Sequence, residues 1–124
     1  MPDRNRVEAL VAQVKNGAYV DAIEAFYAEG ATMQENLTVP REGRDHLMQH
    51  ERGVLASLKQ MRTISAGPVL VDGDHAVIKW VFEMTLADGT TRRLEELALQ
   101  RWQGDRIVAE QFFYDPAQLA GRSS

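Results

Sequence analysis

The chain has 124 residues, a formal net charge of −4, 44% apolar and 26% charged residues, and no cysteine. That length suits one domain able to bury about two-thirds of its unfolded surface, and the missing cysteines exclude disulfides, thiolate metal sites and cysteine nucleophiles. The acidic balance argues against a nucleic-acid partner, because acids accompany most of the paired arginines (Arg4/Arg6, Arg41/Arg44, Arg92/Arg93).

No apolar run reaches the roughly 18 residues that a membrane span requires. The opening Met1-Pro2-Asp3-Arg4 leads into no signal-peptide core, so the expected location is cytoplasmic. Val7, Leu10, Val11 and Val14 recur at helical spacing and predict an amphipathic helix over 4–15, capped by Asp3 and stopped at Asn16-Gly17. A second helix is expected over 19–28, burying Val20, Ile23, Phe26 and Tyr27. Glu29-Gly30 breaks that pattern, and 31–37 reads as a strand followed by a loop at 40–43. Asp45 is the expected cap of a third helix, with Leu47, His50, Val54 and Leu58 on one face.

Beyond residue 61, segments 62–71, 75–86, 92–102 and 106–114 are rich in Val, Ile, Trp and Phe. Asp72-Gly73-Asp74, Ala87-Asp88-Gly89-Thr90 and Gln103-Gly104-Asp105 separate them as hairpin turn signals. Helices followed by an antiparallel meander indicate a single α+β domain over 1–124, helices on one side of a sheet. Residues 117–124 read as a frayed tail.

Glu35 and His50 are the leading catalytic candidates. Strand alternation puts Glu35 with Met33 and Leu37 on an apolar face, where a carboxylate is expensive without a partner or a role. Burial there would raise its pKa toward the range a base needs near neutrality. His50 shares the apolar helix face and is either a second proton-transfer group or a core histidine bonded to backbone. His46 and His50 have a metal-compatible spacing, but no third ligand is evident and no metal is expected. No nucleophile elbow, phosphate-binding loop or dinucleotide fingerprint is present.

Ala28-Glu29-Gly30-Ala31-Thr32-Met33 after the second helix, Glu42-Gly43-Arg44-Asp45 before the third and Gln103-Gly104-Asp105-Arg106-Ile107-Val108 before the last strand complete a pattern over nearly the whole chain. In this order the sequence resembles the NTF2-like superfamily, within it the SnoaL-like and ketosteroid-isomerase-like branch. The resemblance implies a cone-shaped fold, three N-terminal helices on a strongly curved antiparallel sheet that encloses a pocket. It also implies a homodimer through the outer sheet face. It assigns the general-base position to Glu35 and a pocket-wall position to His50. The family's oxyanion-stabilising tyrosine falls at about Leu10 and its protonated aspartate at about Ala98, so both donors are missing. A base without such donors forgoes several kcal/mol of transition-state stabilisation, so steroid isomerisation by that route is not expected.

The late strands pose a parity question. Pattern alone sends Trp80, Phe82, Leu97 and Leu99 to the core. The resemblance sends Glu96, Ala98 and Gln100 to the cavity and leaves the more apolar set for an outer dimer face. The second reading is adopted, making Glu96 a pocket residue and aligning Glu110, Phe112 and Tyr114 on the same wall. With Asn36 beside the base, these are the expected substrate-binding residues. The functional expectation is a cofactor-free isomerase, cyclase or hydrolase acting on an apolar or cyclic metabolite, with a non-catalytic ligand-binding or dimerisation domain as the alternative.

Overall fold

The computed structural model describes residues 2–120. In chain order these form α1 (Arg4–Lys15), α2 (Tyr19–Phe26), β1 (Tyr27–Glu35), β2 (Arg41–Glu42), α3 (Arg44–Ala56), β3 (Leu58–Asp72), β4 (His75–Leu86), β5 (Thr91–Gln103), β6 (Arg106–Phe113) and a 3-10 turn at Pro116–Gln118. The six strands make one sheet in the order β2-β1-β6-β5-β4-β3. All neighbours run antiparallel except β1 and β6, which are parallel. The fold is therefore α+β, with helices packed on one face of a mostly antiparallel sheet. Among the described residues, no helix is long and apolar enough to cross a membrane.

The first helix follows its sequence signals: the Asp3 side chain accepts from the Asn5 amide at 2.9 Å, and Asn16 ends the helix before Gly17 at φ +83°. Four other boundaries differ from expectation. The second helix stops at Phe26, and Tyr27 begins the strand that was expected only from residue 31. Gly43, at φ +98°, starts α3 in place of Asp45 by accepting from the Leu47 amide. The expected loop at 40–43 contains the short β2, which pairs with Thr32 and Met33. Leu58, expected on the α3 face, is the first residue of β3.

Arginines close the junction between α2 and the sheet. Arg6 donates to the Ala25 carbonyl at 2.7 Å, and Arg106 donates to the Glu24 carbonyl at 3.0 Å. Arg44 and Arg106 both donate to the Tyr27 carbonyl. The last carbonyls of a helix have no partner within it, and these guanidinium groups supply one. Two of the six paired arginines, Arg6 and Arg44, are thus structural.

The 3-10 turn at Pro116–Gln118 is tied to β5. The Gln118 side chain accepts from the Glu95 amide at 2.8 Å and donates to its carbonyl at 3.1 Å. The remainder of the expected tail, 121–124, lies outside the described residues.

The strand registers answer the parity question. Trp80 lies opposite Glu96, Phe82 opposite Leu94, and Ala98 opposite Phe112. Leu94, Glu96, Ala98, Gln100 and Trp102 on β5 are buried toward the helices, while Leu97 and Leu99 are exposed on the outer face. Trp80 and Phe82 are also buried inward, which corrects their expected placement on the outer face. Facing residues on paired strands share a side of the sheet. Trp80 therefore had to follow Glu96 and could not follow Leu97.

Candidate functional site

The helices and the inner sheet face enclose a cavity of about 260 Å³. Its apolar wall comes from Leu10 and Val14 on α1, Ile23 on α2 and Trp80, Phe82 and Met84 on β4. Trp80 and Phe82 stack at 5.6 Å with an interplanar angle of 19°. Into this wall the fold inserts ionisable groups at two depths.

The deeper group begins with Trp102, whose indole can only donate. Its Nε1 donates to Gln100 Oε1 at 3.1 Å, which turns the amide nitrogen toward Glu110 Oε2 at 2.8 Å. The Tyr27 hydroxyl donates to the other oxygen, Glu110 Oε1. Two donors favour the ionised carboxylate, but burial of Glu110 opposes it more strongly and lifts its pKa to about 7. Glu96 lacks such donors. Burial, then the charges of Glu110, Glu35 and Glu51, lift it to about 8. Burial, reinforced by Glu110, also holds the Tyr27 phenol well above its ordinary value.

The outer group lies nearer solvent. Glu35 and Arg41 form an ion pair at 3.3 Å, with their side chains 38% and 29% exposed. His50 and Glu51 reach the same cavity from α3. Burial and then Arg41 lower the His50 pKa, so its imidazole is neutral near pH 7. Burial and then Glu35 raise that of Glu51. Burial and the carboxylates of Glu35 and Glu96 raise Tyr114.

Glu35, His50, Glu96, Glu110, Phe112 and Tyr114 all line this cavity. The carboxylate of Glu35 bonds to Arg41 rather than to His50. Asn36 stands outside the lining. Its backbone is left-handed at φ +50°, and its side chain accepts from the Tyr114 amide at 3.0 Å. That geometry makes Asn36 a turn residue that positions Tyr114.

Three groups were not singled out from sequence: Arg41, Glu51 and Tyr27. Glu51 was readable, since it stands four residues after the buried Leu47 and so on the same helix face. Tyr27 was read as helix core and Arg41 as a loop residue paired with Arg44; strand register and the turn at Asn36 bring both inward. No group of three or more His, Cys, Asp and Glu side chains among the described residues is arranged to hold a metal ion.

A cavity between three helices and a sheet of this order defines a class, and the comparisons place the chain in it. The family model described as the SnoaL-like domain matches residues 7–110, so the chain belongs to the SnoaL-like family, and its fold is that of an NTF2-like protein. No curated protein matches it by sequence. Among solved structures it is similar to a SnoaL-like protein of Mesorhizobium loti proposed to be a polyketide cyclase, at 20% identity and TM-score 0.78, covering 92% of this chain and 100% of that one. It is also similar to TerC co-crystallised with polyporic acid, at 16% identity and TM-score 0.81, covering 97% and 96%. A protein of Catenulispora acidiphila with a ketosteroid isomerase-like fold, in complex with trimethylamine, matches at 20% identity and TM-score 0.75, covering 89% and 85%. Identities this low establish the fold that these proteins share.

Proposed function

We propose that the cavity binds an apolar or cyclic small molecule and performs cofactor-free acid–base chemistry on it, as an isomerase, cyclase or hydrolase. The observation that carries this reading is the two-depth arrangement of proton-active groups around one apolar wall. Glu35 acts as base at the outer end, where Arg41 holds its carboxylate in position. The neutral His50 imidazole donates or relays a proton. Glu96, Glu110, Phe112 and Tyr114 orient the ligand from the sheet. Relatives of the same fold crystallised with polyporic acid and with trimethylamine support a small-molecule occupant.

One observation favours the second reading, a binding or dimerisation domain without catalysis. The family's two oxyanion-donor positions are occupied by Leu10 and Ala98, both apolar and buried. A turnover screen with ketones, epoxides and polyketide-like rings separates the two readings. Catalysis predicts turnover that falls at least about a hundredfold in Glu35→Gln with binding retained, the scale general-base removal commands. Equal turnover in that variant would remove Glu35 from the mechanism. Binding of ring compounds with no turnover in the wild type would establish the second reading.

The outer face of the sheet carries Leu70, Leu97, Leu99 and Phe113, all more than a third exposed. We propose that this face is the homodimer interface, because an apolar patch on paired strands is costly to leave in water.

A further inference from the structure

The charge balance of the cavity is one-sided. Four carboxyl groups, Glu35, Glu51, Glu96 and Glu110, face it, and Arg41 is committed to Glu35 at 3.3 Å. Glu110 has two donors of its own, from Tyr27 and Gln100. Glu96 is 9% exposed and lines the cavity, and its carboxyl makes no hydrogen bond or ion pair with any described side chain. A buried carboxyl without a protein partner either keeps its proton or meets a positive charge brought by a ligand. The residue opposite Glu96 across the strands is Trp80, stacked on Phe82. The face of an indole attracts cations.

We infer that the occupant of this cavity carries a cationic amine, with its ammonium held between Glu96 and the Trp80 ring and its hydrocarbon body against Phe82, Met84 and Leu94. This rests on the small-molecule reading above and names the chemical class for the same site. An anionic ligand would meet three carboxyl groups that have no compensating cation. A neutral carbonyl could take a hydrogen bond from protonated Glu96, but it would leave the repulsion among the acids unrelieved. An ammonium relieves it, and its binding displaces the Glu96 proton.

The pH response then has a definite sign. The groups acting on Glu96 are Glu110 from β6, Glu35 from β1 and Glu51 from α3, all acids that hold its proton on as they ionise. Arg41 remains charged throughout, and His50 is neutral over most of the window. An ammonium ligand needs Glu96 ionised, so its affinity rises with pH up to the Glu96 pKa of about 8. A neutral ligand that accepts the Glu96 proton shows the reverse.

The test is calorimetric titration of the full chain with 2-phenylethylamine, its uncharged counterpart 2-phenylethanol, and acetophenone, from about pH 6 to about pH 8, in buffers of differing ionisation enthalpy. The inference predicts that amine affinity rises by up to about tenfold per pH unit, with roughly one proton released per ligand bound, while the uncharged probes show no rise. In Glu96→Gln, amine affinity near pH 8 should fall at least about tenfold and lose its rise with pH. Proton release by the wild type needs no variant, so it decides the matter even where Glu96→Gln folds poorly. Tighter binding of the uncharged probes, or amine binding without proton release, overturns the amine class and leaves the small-molecule reading standing. Binding of none of the three at millimolar concentration overturns both.

Discussion

Glu96 and Glu110 show how one residue type acquires two states within one cavity. Both are buried glutamates on adjacent strands, but only Glu110 receives donors from Tyr27 and Gln100. An acid whose folded pKa lies above its unfolded value binds more protons when folded than when unfolded. Its stabilising contribution is complete below the unfolded pKa near 4.5 and is lost as pH rises through about 7 for Glu110 and about 8 for Glu96. Urea unfolding should therefore show stability declining between about pH 5 and about pH 8. Glu96→Gln should flatten that decline and stabilise the protein near pH 8 by on the order of a few kcal/mol, with little effect near pH 4. An unchanged pH slope would show that Glu96 does not hold its proton in the folded state. Tyr27→Phe removes one of the two donors to Glu110 and should cost about 1–3 kcal/mol near pH 8, read by the same unfolding curves. Glu96 and Glu110 were legible as pocket residues, but their different states were not. Sequence shows neither which neighbours can donate nor how deeply each carboxyl sits.

At the scale of elements, β1 and the turn after it do most to shape the outer end of the cavity. Met33 and Glu35 point inward by strand alternation, and Asn36 at φ +50° then reverses the chain so that Arg41 returns to Glu35. Asn tolerates the left-handed region better than other side-chain-bearing residues. Its side chain also caps the Tyr114 amide, while its carbonyl accepts from Gln111 at 2.8 Å. Asn36→Ala should cost about 1–2 kcal/mol through the lost bond and the strained backbone, and Asn36→Gly less, both measured by thermal unfolding. Ring-compound binding should persist in both variants. Its loss in Asn36→Gly with the fold intact would return Asn36 to the ligand contacts. The β1 alternation was readable around Glu35, because a carboxylate sharing the phase of Met33 is a local signal. The partner of Glu35 was not, since Arg41 lies beyond a turn whose direction depends on a single φ angle.

For the whole molecule, the two faces of the sheet divide the apolar residues between the cavity and the outer surface. Leu97 and Phe113 are paired in register on the outer face and are 46% and 40% exposed. Leu97→Glu should convert a dimer to a monomer, measured by light scattering coupled to size exclusion, with the fold retained because that side chain packs nothing in the core. A monomeric wild type would remove the dimer proposal. Trp80→Ala, by contrast, opens the inner wall and should cost about 3–5 kcal/mol, the usual range for deleting a buried aromatic.

By itself the sequence determined the class of the molecule. Helical spacing in the first third and β-rich segments with hairpin turns thereafter indicated an α+β domain, because these are local patterns set by side-chain periodicity and turn chemistry, and three short motifs added the resemblance to SnoaL-like proteins. It also brought Glu35, His50, Glu96, Glu110, Phe112 and Tyr114 forward as pocket residues. Only the tertiary structure decided that Trp80 faces Glu96, that Arg41 rather than His50 holds Glu35, and that Glu96 stands alone while Glu110 is twice bonded. Those outcomes depend on cross-strand register and burial depth. Both are properties of chain segments brought together from far apart, and the local pattern of any one segment does not contain them.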